Sequence, residues 1–446
     1  MLSHRSDSPL RLFWLILLGY WLGFALVGCD LLPLPPIEPT LSASPSPSPT
    51  PRVAISPTPT QAALSGTVSI WHSWQDTRLP ALLRQIADFR QEHPGVQFDV
   101  TYVPSIDLRN SYQQAALDGS APGVLIAPAD WGPDYYEQRL IADLSSLADA
   151  DLLSSLNAAA VESARYRDAQ IGLPLHIEGI VLYRNAAIIP EPPATFDELV
   201  AAARDATRGT TVGAMLERGF AYSGGHLHGL GGTWMNPDGS PAFNNQLGLA
   251  WLALLGSFEQ AGPTDYLTDA DVALFKEQRL GMMVEGTWLR DELAEAIGNA
   301  RLTIDPWPLY ANGTLSGFVR AENVYLSQRA SEEQRQLYWS FIRSLFTPES
   351  QASLAQVSLI PAIDPLQLTS EPGVARIEDS LISQAMLALR GGAPYPAAPW
   401  MAFYLPHMEV AIQSVMNGEA APAQALQQAH DAILADLAAR KATPQP

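Results

Sequence analysis

The sequence is poor in cysteine and in basic residues. A single cysteine among 446 residues excludes an intrachain disulfide and any cysteine-rich metal site. Lysine and arginine number 26 against 46 aspartates and glutamates, a formal net charge of −20, and no run of basic residues breaks this pattern. Nucleic acids and anionic lipid surfaces are bound through clustered positive charge, so neither is expected as a partner.

Several catalytic and metal-binding motifs are also missing. The sequence contains no H-E-x-x-H zinc motif, no phosphate-binding loop and no G-x-S-x-G serine-hydrolase motif. His72, His226 and His228 lack the acidic partners and spacing of a metal site, so we expect them to be hydrogen-bonded or exposed histidines. The sequence therefore predicts no metal and no cofactor.

The first 29 residues have the pattern of an export signal. Arg5 and Arg11 precede an apolar run over 12–27, which is followed by Gly28 and Cys29. The tetrad LVGC resembles a bacterial lipobox, in which the cysteine is lipidated and becomes the mature N-terminus. An uncleaved anchor is the alternative, because the run is close to the ~17-residue lower limit for spanning a bilayer. In both cases the body is expected outside the cytoplasm.

A tether and a folded body follow the signal. Residues 30–65 are dominated by Pro, Ser and Thr, a composition that is too polar to form a core and that stays extended. Beyond them, strand-like runs at 67–71 and 96–103 flank a helical pattern at 77–94. This alternation indicates βαβ units and a mainly parallel sheet, on which ligands bind beyond the carboxyl ends of the strands.

Five motifs occur in an order that matches a known family: VSIWHSW, GLPLHIEGIVLYRN, TFDELVAAA, MMVEGTW and YWSFIRSLFTPESQ. With the export signal and tether, they resemble the extracellular solute-binding proteins of sugar ABC importers, of the maltodextrin-binding type, over about 66–435. The resemblance implies an α/β, two-lobed, periplasmic-binding-protein-like (type II) fold, in which each lobe is a sheet flanked by helices and a hinge links the lobes. Lobe 1 would comprise 66–175 and 312–347, and lobe 2 would comprise 176–311 and 348–440.

The resemblance also implies a function. The chain would be a monomeric, non-catalytic receptor, lipid-anchored through Cys29 to the outer side of the cell membrane. It would capture a carbohydrate, expected to be an oligosaccharide, and deliver it to the permease subunits of an ABC importer. Closure of the lobes would require a ligand that contacts both of them better when they are shut.

A sugar site needs aromatic platforms for the apolar faces of a pyranose and planar polar side chains for its hydroxyls. Trp71 ends the first predicted strand and is expected to pack in the core, whereas Trp74 follows in a loop and is expected to face the cleft. Asp130 and Trp131 follow an apolar strand, at a turn that would present them to the same cleft.

Other site residues rest on the family resemblance. Glu178 lies in the motif that carries the family's ligand carboxylate, and Asp130 matches an acidic residue that binds sugar hydroxyls. Trp288 matches an aromatic residue on which the family stacks a sugar, and Glu285 belongs to the same motif. The remaining residues expected to bind the ligand are Tyr222, Trp234, Trp307, Trp400 and Tyr404.

The residues alone leave other functions open. Asp130, Glu178 and Glu285 offer the paired carboxylates of an exported glycosidase, although carboxylates also bind hydroxyls without any chemistry. A polyamine would favour the same acidic and aromatic side chains as a sugar, because cations bind to aromatic rings. A peptide, a metal chelate or a phosphate ester as solute, and a sensory lipoprotein without a transporter, are further alternatives.

Overall fold

The computed structural model describes residues 63–369, 377–396 and 401–442. The predicted signal and tether, Cys29 and Trp400 lie outside these residues. The strands are β1 (Gly66–His72), β2 (Val96–Tyr102), β3 (Val124–Pro128), β4 (Arg165–Tyr166), β5 (Ala169–Gln170), β6 (Leu173–Asn185), β7 (Val212–Glu217), β8 (Thr264–Asp265), β9 (Leu280–Gly286), β10 (Leu302–Asp305), β11 (Leu309–Tyr310), β12 (Gly313–Thr314), β13 (Phe318–Leu326), β14 (Ile360–Pro361) and β15 (Ala393–Pro394).

Helices separate most of these strands along the chain. They are α1 (Leu79–Glu92), α2 (Ser105–Asp118), α3 (Gly132–Glu137), α4 (Ala150–Ser154), α5 (Ala158–Ser163), α6 (Phe196–Ala206), α7 (Phe220–Ser223), α8 (Gly225–Gly229), α9 (Gln246–Ser257), α10 (Ala270–Lys276), α11 (Arg290–Ile297), α12 (Glu332–Ser344), α13 (Pro348–Ala355), α14 (Pro365–Thr369), α15 (Ser380–Arg390), α16 (Met401–Met416) and α17 (Pro422–Ala442). None of the helices in the described ranges is both long and apolar enough to cross a membrane.

The main sheet runs β2-β1-β3-β13-β6-β9-β7-β8. β1 is parallel to β2 and β3 at one end, and β7 is parallel to β8 and β9 at the other. β13 is antiparallel to β3 and to β6, and β6 is antiparallel to β9. The prediction of a mainly parallel sheet is therefore right at both ends and wrong in the middle. The division into two lobes at the ranges given above stays a prediction.

β6 is the long central strand of the sheet. All of its 13 residues are buried except Glu178, which is half-buried. Ile180 and Leu182 pack on one face with Trp251, while Val181 and Tyr183 pack on the other. A strand covered on both faces reads as an almost continuous apolar run, and a polar residue within it has a specific environment.

A buried ion pair joins β6 to the neighbouring strand β10. Arg184 Nε donates to Asp305 Oδ2 at 2.5 Å and its Nη2 donates to Oδ1 at 3.0 Å. Arg184 Nη1 also donates to the carbonyls of Ile189 and Pro190, at 2.7 and 2.9 Å. Each of the three guanidinium nitrogens thus has an acceptor, and hydrogen bonding of this kind is the condition under which a buried charge pair is tolerated.

Breaking this pair is expected to be costly. Asp305→Ala should lower the free energy of unfolding by about 3–5 kcal/mol, because it leaves the buried Arg184 charge without a counter-ion. Denaturant unfolding measures the change. Glu162→Ala removes one partner of the exposed pair with Arg165 and should cost less than about 1 kcal/mol. Equal losses in the two variants would contradict this view of the core.

Candidate ligand-binding site

A cavity of about 400 Å³ opens where β1 and β3 end and where β6 runs beside β13. We call it the central cavity. Three of the predicted site residues, Asp130, Trp131 and Glu178, line it. Its complete lining is Ser73, Arg78, Pro128, Ala129, Asp130, Trp131, Ser163, His176, Glu178, Arg320, Ala321, Glu322 and Tyr395.

Asp130 and Trp131 reach the cavity through the end of β3. A 3-10 turn over Ala129–Trp131 follows the strand, so both side chains leave the sheet at its carboxyl edge. Burial by the surrounding atoms raises the pKa of Asp130 above its usual value, and the positive charges of Arg320 and Arg109 oppose the rise. The Asp130 side chain still faces solvent, as a hydroxyl-binding carboxylate must.

Glu178 faces a positive partner across the sheet. The β6–β13 register pairs Glu178 with Arg320, so the two side chains leave neighbouring strands at facing positions. The Arg320 guanidinium lies 4.2 Å from the ring centre of Tyr395, another lining residue. The cavity wall therefore combines an acceptor, a planar donor and an aromatic face within one cluster.

A buried network forms the base of the central cavity. Glu322 Oε2 accepts hydrogen bonds from His176 Nε2 at 2.6 Å and from Trp74 Nε1 at 2.7 Å. Burial favours the neutral acid, but the hydrogen bonds from His176 and Trp74 and the charge of Arg78 outweigh it and lower the pKa of Glu322. Glu322 is thus held as a carboxylate, and the side chains of His176 and Trp74 are its hydrogen-bond donors.

The expectation that Trp74 faces the cleft conflicts with its burial, whereas Trp71 packs against a core cluster, in line with its expected place in the core. Trp74 is 1% exposed and packs in the core, while Trp71 is half-buried beside a cluster that contains Tyr112. The cause lies in the turn after β1, where the Trp74 N–H donates to His72 Nδ1 at 3.0 Å and leads the indole towards Glu322. In this structure Trp74 positions Glu322 and presents no ring face to the cavity.

A second cavity, of about 600 Å³, brings together the predicted residues Tyr222, Glu285 and Trp288. We call it the acidic cavity. Its lining is Tyr222, Asp269, Val272, Ala273, Lys276, Glu277, Glu285, Trp288, Leu289 and Glu292. The Trp288 ring lies over Gly286, where an added Cβ would come within 2.1 Å of it, which explains the glycine two residues before it.

One hydrogen bond connects the walls of these two cavities. The Gly179 N–H donates to Thr287 Oγ1 at 3.1 Å. Gly179 follows Glu178 of the central cavity, and Thr287 precedes Trp288 of the acidic cavity. Glu178 on β6 and Trp288 just after β9 are therefore attached to neighbouring strands.

Glu285, in the wall of the acidic cavity, has further buried carboxyl groups behind it. Glu217 on β7 pairs with Asp265 on β8. On the other side of β7, Met215 pairs with Met283 of β9, and Glu217 and Glu285 each lie two residues further along these parallel strands. Glu217, Asp265, Asp271 and Glu285 are at most 4% exposed. Burial and their mutual repulsion raise the pKa values of Glu217, Glu285 and Asp271, to about 7, about 7 and about 8 respectively.

The other predicted platforms lie elsewhere. Trp234 lines a third cavity, of about 640 Å³, but is 4% exposed, and its Nε1 donates to the Gly224 carbonyl at 2.9 Å. Tyr404 is fully buried, and its hydroxyl donates to the Gly239 carbonyl at 2.8 Å. Trp307 packs against His226, with ring centres 5.3 Å apart, and lines none of the three cavities. For Tyr404 the expected ligand contact conflicts with its burial in the core.

The histidines have structural surroundings. His226 is fully buried, its Nδ1 accepts from the Ser316 N–H at 3.1 Å, and burial lowers its pKa to about 4. Burial also lowers the pKa of His72. Within the part of the chain that the structure describes, no group of three or more His, Cys, Asp or Glu side chains is spaced to hold a metal ion.

Sequence reasoning missed Arg78, His176, Arg320, Glu322 and Tyr395 in the central cavity. For two of them a signal existed. In the β13 sequence FVRAENVYL, Arg320 and Glu322 are two positions apart, and alternation along a strand puts them on one face. Tyr395 lies between prolines outside any periodic segment, so no pattern indicated it.

The fold and its cavities define an α/β ligand-binding protein, and comparison with known proteins gives the family. Residues 84–375 match the bacterial extracellular solute-binding proteins, and the chain belongs to this family. The family binds solutes and is non-catalytic, so the glycosidase alternative is not supported.

Relatives and solved structures agree with this assignment. The galactooligosaccharide-binding protein of Bacillus subtilis is 25% identical over 394 residues, which cover 82% of this chain and 89% of that protein. The maltotriose-binding protein of Pyrococcus abyssi is 30% identical over 135 residues, and the match covers 30% of this chain but only 29% of that protein. The structure of a cyclic α-maltosyl-1,6-maltose binding protein from Arthrobacter globiformis has a TM-score of 0.72 at 18% identity, covering 83% of this chain and 98% of that one. This likeness confirms the expected periplasmic-binding-protein fold.

The buried carboxylates predict how stability depends on pH. Because their pKa values are raised on folding, the folded state holds more protons than the unfolded state between about pH 4.3 and pH 7–8. The free energy of unfolding should therefore fall as pH rises from 5 to 8, by at most about 1.4 kcal/mol per pH unit for each group.

Urea unfolding at several pH values measures this dependence. Glu285→Gln removes one of the groups and should make the decline from pH 5 to 8 shallower. Glu292→Gln changes an exposed carboxylate of the same cavity and is the matched control, with a decline like that of the wild type. A free energy of unfolding that rises over this range would contradict the prediction.

Proposed function

We propose that the solute of this protein is a carbohydrate, expected to be an oligosaccharide, bound in the central cavity and extending towards the acidic cavity. The observation that carries the proposal is the convergence of Asp130, Glu178, Arg320 and Tyr395 on one cavity, although they come from distant parts of the chain. Carboxylates accept hydrogen bonds from sugar hydroxyls, the guanidinium donates to them, and the tyrosine ring covers an apolar sugar face.

Further observations support a saccharide of more than one unit. Trp288 is 49% exposed, so its ring is available to a second sugar unit in the acidic cavity. Two relatives bear names that refer to oligosaccharides, galactooligosaccharide for one and maltotriose for the other. Malto-oligosaccharides and galacto-oligosaccharides are accordingly the first ligands to test.

Ligand capture would involve movement of two lobes. β13 pairs with β3 in the first half of the sheet and with β6, which in turn pairs with β9 in the second half. The proposed hinge therefore includes β6 and β13. A ligand that binds side chains from both halves stabilises the closed form by its differential affinity. We propose that the closed, monomeric receptor then delivers its sugar to the permease of an ABC importer.

Calorimetric titration tests the ligand class. The protein should bind a malto- or galacto-oligosaccharide, and Tyr395→Ala should weaken binding by about 1–3 kcal/mol, or roughly 5- to 150-fold, through lost ring burial. Tyr102→Ala changes an exposed tyrosine outside the central cavity and should leave affinity unchanged. Binding of a polyamine, a peptide or a phosphate ester with no binding of any saccharide would overturn the proposal.

Membrane attachment is proposed from the sequence alone. The LVGC tetrad places Cys29 directly after an apolar export signal, and its thiol would carry the lipid. In a bacterial host the wild type should fractionate with membranes and incorporate labelled fatty acid. Cys29→Ser should lose the label, and an unlabelled wild type would contradict lipidation.

A further inference from the structure

Acidic side chains in and behind the wall of the acidic cavity have no basic partner. Among the described residues, the ion pairs involve none of Glu217, Asp265, Asp271 and Glu285. Lys276, the basic residue in the cavity lining, is already paired with Glu292 at 2.5 Å. At the low effective dielectric of a buried site, neighbouring carboxylates repel strongly unless a cation or protons lie between them.

A buried oxygen in this cluster lacks a donor. Asp271 is fully buried, and its Oδ1 accepts from the Val272 N–H at 2.6 Å, whereas its Oδ2 has no hydrogen-bond partner in the described structure. The charges that act on this carboxylate are those of Glu285, Asp265 and Glu217, which places it within the cluster. A buried acceptor without a donor is costly. Asp271 does not line the cavity, so a ligand meets this cluster at Glu285, which lines the cavity and is 4% exposed. Glu285 Oε2 accepts from the Gly286 N–H at 2.9 Å, and its Oε1 has no hydrogen bond among the described residues.

The cavity also has aromatic walls. Tyr222 and Trp288 line it together with Glu285, and the negative charges of Glu285 and Glu217 act on the Tyr222 hydroxyl. Aromatic faces attract cations within about 6 Å, and more so where water is excluded. Rings and carboxylates around one space suit an ammonium group, whereas the carboxylate spacing does not suit a metal ion.

We propose that the acidic cavity selects saccharides that carry a primary ammonium group over their neutral counterparts. The ammonium group lies between Glu285 and the rings of Tyr222 and Trp288, with Asp271 and Glu217 buried behind Glu285. This inference rests on the proposed function, because it takes a saccharide as the ligand. It adds that one sugar unit carries a positive charge.

A matched pair of ligands tests the inference on the wild-type protein. Calorimetry at pH 7 compares a fully deacetylated glucosamine oligosaccharide with its N-acetylated counterpart of equal length, and includes maltotriose and spermidine. The deacetylated ligand should bind about tenfold more tightly than the acetylated one, in the range expected of a desolvated cation–π contact. The preference should shrink at high salt, because its origin is electrostatic.

Two isosteric substitutions locate the effect. Glu285→Gln should bring the two affinities close to equality, and Glu277→Gln, which changes an exposed carboxylate paired with Arg279 in the same cavity, should preserve the preference. The comparison on the wild type does not depend on these variants folding.

Each other outcome has a distinct meaning. Equal wild-type affinity for both ligands, with maltotriose or another neutral saccharide bound, overturns the inference and leaves the proposed function intact. Binding of spermidine without binding of any saccharide overturns both the inference and the proposed function. The same holds if neither these ligands nor any other saccharide binds.

Discussion

The antiparallel pairing of β6 with β13 is the constraint on which the rest of the structure depends. It sets Glu178 opposite Arg320 and brings His176 close enough to hydrogen-bond Glu322, so two residue pairs on one face of the sheet supply most of the charge of the central cavity. The same strands pair with β3 on one side and with β9 on the other. The turn after β3 and the loop after β9 are thereby fixed relative to the central polar residues.

The pKa of Glu322 at the central cavity and the pKa values of the buried carboxyl groups at the acidic cavity shift in opposite directions. In the central cavity Glu322 stays ionised because His176 and Trp74 donate hydrogen bonds to it, and Glu178 lies opposite Arg320. Glu285 in the wall of the acidic cavity and Glu217 and Asp271 behind it repel one another, and their pKa values rise instead. Like charges on neighbouring strands reduce stability once they are ionised.

Local patterns predicted much of the fold and part of the site. The alternation of strands and helices, and the position of Asp130 after a buried strand, follow from periodicity and from where parallel strands end. The burial of Trp74 did not follow, because it depends on a hydrogen bond to Glu322, 248 residues away. Tyr404 was likewise expected to contact the ligand, but it lies in α16 and is buried in the core. Arg320 and Tyr395 come together only through tertiary contact, which a single sequence does not record.

A crystal structure of the protein with a bound oligosaccharide tests the central claim most directly. The account predicts an ordered sugar in the central cavity, with hydroxyls hydrogen-bonded to Asp130, Glu178 and Arg320 and one ring face on Tyr395. An ordered sugar bound outside both the central and the acidic cavities, with these four side chains untouched, would contradict it.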